Sequence, residues 1–311
     1  MSALAQPQVI FTHESDLDGL VSGLLLQRLA EKMFSTPIPL EAYHYQGWKA
    51  RSLDESVAWV CDFTFESRLD RTGWLVLDHH TSEARPRQAR LIHDTTKSAA
   101  LLCYELAQPY GIKSPELDRL VQLTNIGDLF LEDHPDFDLA CDYANLVKTY
   151  GFWNVHSLID GQLEKMIDHP LLEVMLVKRR VEDPIGYEYS RVHTEQITNS
   201  VGLVKTVVGN TNSIVHQLLE RGATPYTVLT TIFRKGNGNF IVSFRSRNGD
   251  ALKVASVLDG GGHPNAAGTV LPRSVNDLEA AAAYLKQRLQ PQRHQLNALD
   301  DLATVLDQLK R

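Results

Sequence analysis

Three β-prone apolar runs each stop at a cluster of acidic residues or histidines, and stretches of helical period follow or separate them. Gln8–His13 runs into His13-Glu-Ser-Asp-Leu-Asp-Gly19. Ser56–Asp62 ends on Asp62 after Trp59-Val-Cys61, and Trp74–Asp78 opens directly into Asp78-His79-His80. Leu20, Leu24, Leu25 and Leu29 recur at helical spacing within Leu17–Met33, and further helical segments are expected over Lys97–Tyr110 and Pro115–Leu131. Strands alternating with helices predict an α/β domain built on a parallel sheet with right-handed crossovers. In such sheets ligands sit at the carboxyl ends of the strands, where these polar clusters fall.

The remaining chemistry depends on what those clusters are for. Asp16 or Asp18 alone would serve as a helix cap, a common role for aspartate, but a cap needs one carboxylate and no histidine. Asp62 alone reads as a solvated strand end, and Asp128, in Asn125-Ile-Gly-Asp-Leu-Phe130, as a helix-edge carboxylate. Brought together on one rim, these carboxylates and imidazoles would repel or shift their pKa values unless cations fill the gap. Oxygen-rich ligands with some imidazole and no thiolate favour Mn2+, with Mg2+ second, over structural zinc. A bimetallic site is expected.

With 311 residues the chain has length for two cores, expected as residues 1–185, including a connecting helix, and 198–311. A net charge of −7 argues against a long, non-specific nucleic-acid channel, which needs a basic stripe. Cys61, Cys103 and Cys141 are widely spaced and fit neither a disulfide framework nor a thiolate zinc site. No run reaches membrane-spanning length and Met1–Gln8 carries no secretory pattern, so a cytoplasmic location is expected.

In the second region, Pro225–Phe233 and Phe240–Arg245 read as a hairpin around Lys235-Gly-Asn-Gly-Asn239. A helix over Leu252–Leu258 leads into Gly260-Gly-Gly-His-Pro-Asn-Ala-Ala-Gly268, where glycines allow close backbone approach to a ligand. Pro264 suits the first turn of a short helix whose N-terminus favours anions. Phe244-Arg-Ser-Arg247 ends a strand with two guanidiniums, and Leu296–Leu309 is expected as an amphipathic helix. His93 with Asp94-Thr-Thr-Lys-Ser98 reads as a polar loop near the Asp-His-His residues. Tyr45 and Trp48, beside Lys49 and Arg51, suit either base stacking or packing.

These motifs resemble the DHH phosphoesterase family in its two-domain form, with an appended DHHA1 domain. The resemblance covers Val9–Phe130 and Val201–Leu271. That family includes RecJ-type exonucleases, nanoRNases, cyclic-dinucleotide phosphodiesterases and nucleotide phosphatases. It implies a parallel-sheet DHH domain and a smaller α+β DHHA1 domain, with the active site in the cleft between them. It also implies that His13, Asp16 and Asp62 hold one metal and that Asp18, Asp62, His79 and Asp128 hold the other. His80 would face the phosphate, and Asp78 would orient a histidine through its ring N–H. Two residues separate His13 from Asp16, where many members have three. Arg245, Gly261, Gly262, His263 and Asn265 would bind substrate, bidentate phosphate contact suiting the arginine fork. The implied activity is cation-dependent hydrolysis of linear dinucleotides such as pGpG or pApA, and of very short RNA, to nucleoside monophosphates. Hydrolysis of 3′-phosphoadenosine 5′-phosphate, cyclic-dinucleotide cleavage and a catalytically silent nucleotide sensor are the alternatives. Inorganic pyrophosphatases share the first-domain motifs but lack the glycine-histidine-proline run. Short RNA or a dinucleotide is the expected partner, with no long nucleic acid and no membrane. Pairing of the C-terminal helix with a second copy, giving a homodimer, is left open.

Overall fold

The computed structural model describes residues 4–205, 208–234 and 238–290. The backbone divides into two units, Met1–Arg179 and Arg180–Arg311. The first contains β1 (Val9–His13), α1 (Leu17–Phe34), β2 (Leu40–Tyr43), α2 (Tyr45–Ala50), β3 (Ala58–Cys61), β4 (Leu75–Asp78) and β5 (Arg90–His93). After these come α3 (Ala99–Ala107), α4 (Pro115–Asp128), α5 (Phe137–Tyr150), α6 (Phe152–Leu158) and α7 (Leu171–His193), the last of which straddles the division.

All five strands of the first sheet are parallel, in the order β2-β1-β3-β4-β5. From β1 the chain steps to one side for β2 and to the other for β3. The junction of β1 and β3 is therefore a topological switch point, where the connecting loops diverge and leave a crevice at the carboxyl ends. Alternation along β1 sends Ile10 to the face covered by α1, α3 and α4, and Val9 and Phe11 to the face packed with Trp48, Phe65 and Trp74. Both faces are buried, which accounts for the nearly continuous apolar character of β1, β3 and β4.

Strands β2 and β5 were not expected from sequence. They form the two edges of the sheet and are only partly buried, so they lack the apolar run that marks the central strands. His93, read as part of a polar loop, is the last residue of β5. Trp48 is packed in the core, only 1% exposed and stacked on Phe63 at 4.3 Å, so packing and not base stacking is its role. Cys61, Cys103 and Cys141 are free and buried, as their spacing suggested.

The second unit has β6 (Glu195–Gln196), β7 (Val201–Leu203), α8 (Thr211–Glu220), β8 (Val228–Arg234), β9 (Phe240–Ser246), α9 (Asp250–Ser256), β10 (Gly261–His263), β11 (Ala266–Val270) and α10 (Leu278–Leu289). Its sheet runs β10-β11-β9-β8-β7-β6, antiparallel except between β7 and β8. The expected β8–β9 hairpin is present, though three residues of its turn, 235–237, lie outside the described residues. The expected Leu296–Leu309 helix also lies outside them. One expectation is overturned: Pro264 opens no helix. It and Asn265 form the two-residue turn of the β10–β11 hairpin, because the fixed φ of proline suits a turn's first central position as well as a helix's first turn.

Candidate metal centre

The carboxyl ends of β1, β3 and β4 and the end of α4 bring every metal-ligating candidate of the first unit into one cluster. Three overlapping sets have ligand atoms within 4.8 Å of one another: His13, Asp16 and Asp62; Asp18, His79 and Asp128; and Asp62, His79 and His80. His13 Nδ1 lies 2.8 Å from Asp16 Oδ2 and 3.5 Å from Asp62 Oδ2. On the other side, His79 Nε2 lies 3.5 Å from both Asp62 Oδ1 and Asp128 Oδ2, and 3.9 Å from Asp18 Oδ2. Asp62 thus presents one oxygen to each set, the arrangement of a bridging ligand.

Local structure explains each placement. Asp16 does cap α1, its Oδ1 accepting from Gly19 N at 3.0 Å, while its other oxygen is left to His13. One carboxylate can therefore cap the helix and still offer an oxygen to the cluster. Gly19 is required because a Cβ there would collide with the His13 carbonyl, which lets α1 start hard against the end of β1. Asp62 follows β3 in the left-handed region at φ 57°, which aspartate tolerates better than most residues and which turns its side chain back toward the rim.

Asp18 is 1% exposed and is held by two backbone amides at the N-terminus of α3, Ala100 N to Oδ1 and Ala99 N to Oδ2, each 2.8 Å. That helix end is itself anchored: Ser98 N donates to Asn125 Oδ1 of α4 at 2.8 Å, one turn before Asp128. The Ser98 hydroxyl caps α3, accepting from Leu101 N. Asp78 is fully buried; its Oδ2 accepts from Phe65 N, and its Oδ1 lies 2.8 Å from His80 Nδ1 and accepts from His80 N. The ring it orients is thus that of His80. His93 Nε2 also meets the His80 carbonyl at 2.8 Å.

The electrostatics are those of a site short of positive charge. Burial, reinforced by the Asp62 charge, pushes the Asp18 carboxyl up to about 7. Burial likewise raises Asp128, with Asp18 beside it. For His79, burial opposes the charged ring, but Asp62, Asp128 and Asp18 overcome it and push the pKa up to about 10. Burial would also raise Asp62, yet the His13 and His79 imidazoles beside it hold it well below the ordinary carboxylate range. One atom is left over: Asp62 Oδ2 is buried and has no hydrogen-bond partner. A buried carboxylate oxygen facing two other ligand groups with no donor of its own is satisfied by a cation. The residues present therefore fit divalent ions.

In the second unit, antiparallel pairing sets Arg245 opposite Ala266 and Ala266 opposite His263. The two polar side chains share one face of the sheet in a single cross-strand row, about 10 Å apart, with only a methyl between them. Among the described residues no carboxylate pairs with Arg245, and burial depresses its pKa. Arg247 is instead engaged by Glu220 at 2.8 Å. Asn265 Oδ1 accepts from Gly249 N at 2.8 Å, so this side chain fastens the hairpin to the loop after β9. Gly262, at φ 134°, is required by the close approach of Ala266 O and Ala267 Cα, whereas a Cβ on Gly261 would meet nothing within 4 Å.

Sequence reasoning missed Asn125, the α3 amides and Phe65 N. Ser98, a helix-capping residue type ahead of an apolar run, was the one available signal for the α3 end.

Residues 200–290 match the DHHA1 domain family. No curated protein matches the chain. Among solved structures, an exonuclease RecJ bound to manganese is 17% identical, with TM-score 0.52, over 93% of this chain and 91% of that one. A DHH domain from a member of the s1p family of ribosomal proteins is 14% identical, with TM-score 0.51, over 92% and 87%. A pGpG-specific phosphodiesterase from Vibrio cholerae is 15% identical, with TM-score 0.47, over 91% and 99%.

Proposed function

We propose that this chain, which carries a DHHA1 domain and has the fold of RecJ-like DHH proteins, is a cation-dependent phosphodiesterase of linear dinucleotides and very short oligoribonucleotides. Substrates such as pGpG or pApA would yield nucleoside monophosphates. The observation that carries this reading is Asp62, shared by two ligand sets and left with a buried oxygen lacking a donor. His13, Asp16 and Asp62 would hold one ion, and Asp18, Asp62, His79 and Asp128 the other. Mn2+ is the first choice because the ligands mix carboxylate with imidazole, and a RecJ of this fold has manganese bound. Bound divalent ions supply Lewis acidity and lower the pKa of water, the two things phosphoester hydrolysis at neutral pH most needs.

The protein's own groups do the rest. Asp78 accepts from the Nδ1 side of His80, so Nε2 is the atom proposed to face the substrate. Burial opposes a positive charge on His80, but the Asp78 hydrogen bond and the Asp62 charge raise its pKa, which favours the protonated ring that would donate to a phosphoryl oxygen. Arg245, desolvated and without a carboxylate, is proposed to take a phosphate of the substrate in a bidentate grip. Gly261, His263 and Asn265 would contact the remainder, Gly261 by leaving room for it.

A chain of net charge −7 suits a short anion neutralised locally better than a long strand. Turnover of 5′-phosphorylated dinucleotides, 3′-phosphoadenosine 5′-phosphate, cyclic dinucleotides and a long single strand, each with Mn2+, tests the reading. The linear dinucleotide should be fastest, with two monophosphates as products. Equal rates per end on dinucleotide and long strand would refute the short-substrate claim, and loss of a single phosphate from the bisphosphate as the preferred reaction would replace it.

A further inference from the structure

His80 lies beyond the end of β4, where the chain leaves the sheet, so its imidazole is aimed only as well as the backbone that carries it. Asp78 holds one side of that backbone as well as the ring, its Oδ1 accepting from His80 N at 3.1 Å. The carbonyl of the same residue is held from a different strand. His93 closes β5, directly opposite Asp78 in the parallel register, and its Nε2 lies 2.8 Å from His80 O. A carbonyl can only accept, so the His93 Nε2 carries the hydrogen and donates it.

The rest of the turn is tied to the same framework. Ser82 Oγ donates to Phe65 O at 3.0 Å, and Phe65 N donates to Asp78 Oδ2 at 3.1 Å. Farther along, Asp70 accepts from Arg87 N, Gln88 N and Ala89 N, which fixes the approach to β5. The anchors differ in one respect. Asp78 and Phe65 are buried, whereas the contact between His93 and the His80 carbonyl is exposed. Water would satisfy an exposed carbonyl as well as a side chain does. What the histidine adds is therefore direction: a planar ring, placed by the strand end, keeps the carbonyl in one orientation.

We propose that His93 is a positioning residue for His80: by donating from Nε2 to the His80 carbonyl, it fixes the backbone from which that imidazole is presented to substrate. The action of His80 on a phosphoryl oxygen rests on the function proposed above; the hold on its backbone does not. A loosened backbone should slow turnover more than it weakens binding, since misplacing a reacting group by about 1 Å can cost about 10²-fold in rate. One exposed hydrogen bond should account for less than that.

The full chain is compared as wild type, His93→Ala, His93→Gln and His93→Asn. The side-chain nitrogen of glutamine reaches the place of the imidazole Nε2, whereas that of asparagine, one methylene shorter, reaches only the place of Nδ1. In cation-free protein, exchange of the His80 amide hydrogen with deuterated water, followed by NMR, should quicken about tenfold in His93→Ala and His93→Asn and return to the wild-type rate in His93→Gln. Mn2+-dependent turnover of pGpG should follow the same order: kcat about tenfold lower in the alanine and asparagine variants, near wild type in the glutamine variant, and KM little changed in all. A merely structural role would lower the unfolding midpoint without separating glutamine from asparagine. Unchanged His80 exchange in His93→Ala would overturn the proposal, as would equal behaviour of His93→Gln and His93→Asn. A raised KM with kcat preserved would also overturn it, by making His93 a substrate contact. If wild type hydrolyses no short nucleotide, the proposed function fails, while the exchange rates still decide whether His93 holds His80.

Discussion

Asp62 and Asp78 divide the rim between them: Asp62 lies between His13 and His79, where cations are proposed to bind, and Asp78 holds His80. Asp62→Asn removes the shared charge and should abolish Mn2+-dependent turnover and cation binding while the fold remains, as calorimetric titration with Mn2+ would register. Asp78→Asn keeps a carbonyl acceptor but weakens the hold on His80. A loss of about 10- to 100-fold in activity is expected, the usual cost of disturbing a group that orients another. His80→Asn, removing the proton donor itself, should cost about 10²- to 10⁴-fold in kcat with KM little changed. Equal activity of Asp78→Asn and wild type would deny Asp78 its positioning role. In the second unit the glycines separate structure from recognition. Gly262→Ala meets Ala266 O at 2.6 Å and an unfavourable φ, so about 1–3 kcal/mol of stability should be lost. Gly261→Ala has open space, so thermal unfolding should be unchanged while KM for a dinucleotide rises. At this scale the side chains that gather in the cluster were legible in the sequence, because carboxylates and imidazoles at strand ends announce themselves. The supports were not: Ala99, Ala100 and Phe65 act through backbone N–H groups, which every residue carries.

Among the elements, α3 and α4 act as a brace. Asn125 of α4 fixes the amide of Ser98, the cap residue of α3, and the first two amides of α3 fix Asp18. Asn125→Ala should leave the Ser98 N–H without its acceptor, lower stability by about 1–2 kcal/mol, and weaken Mn2+ binding although Asn125 is not a ligand. Thermal unfolding read beside Mn2+ calorimetry separates the two effects; an Asn125→Ala protein with wild-type Mn2+ affinity would show that the brace does not reach the site. Which elements could be read from sequence follows from burial. Strands β1, β3 and β4 are buried on both faces and read as apolar runs, whereas β2 and β5 lie at the edges and carry mixed residues. The Gly260–Gly268 segment was read as a helix start because proline fits both a helix's first turn and a hairpin turn. Only the pairing of β10 with β11 decides between them, and pairing depends on contacts far from the local sequence.

For the molecule as a whole, the crowded rim links stability to pH and cations. Asp18, raised from 3.8 to about 7, keeps its proton in the folded state while the unfolded chain ionises, so the stability it contributes when protonated is lost as pH rises between those values. His79 is raised from 6.5 to about 10, so its contribution is complete below 6.5 and is lost as pH rises through 10. Both signs agree: cation-free protein should melt at progressively lower temperature from about pH 4 toward pH 10. Added Mn2+ replaces the missing protons, so its stabilising increment should be larger at alkaline than at mildly acidic pH. An increment that shrinks as pH rises would contradict the cluster's assignment as a cation site. Among the described residues no helix is long and apolar enough to cross a membrane. The most direct test of the central claim is the initial rate of Mn2+-dependent hydrolysis of pGpG and pApA against a long single-stranded RNA, for wild type and Asp62→Ala. The account predicts rapid release of two monophosphates from the dinucleotides, slow attack on the long strand, and no activity in the variant. Activity that persists in Asp62→Ala, or none on any short nucleotide in wild type with Mn2+ present, would contradict it.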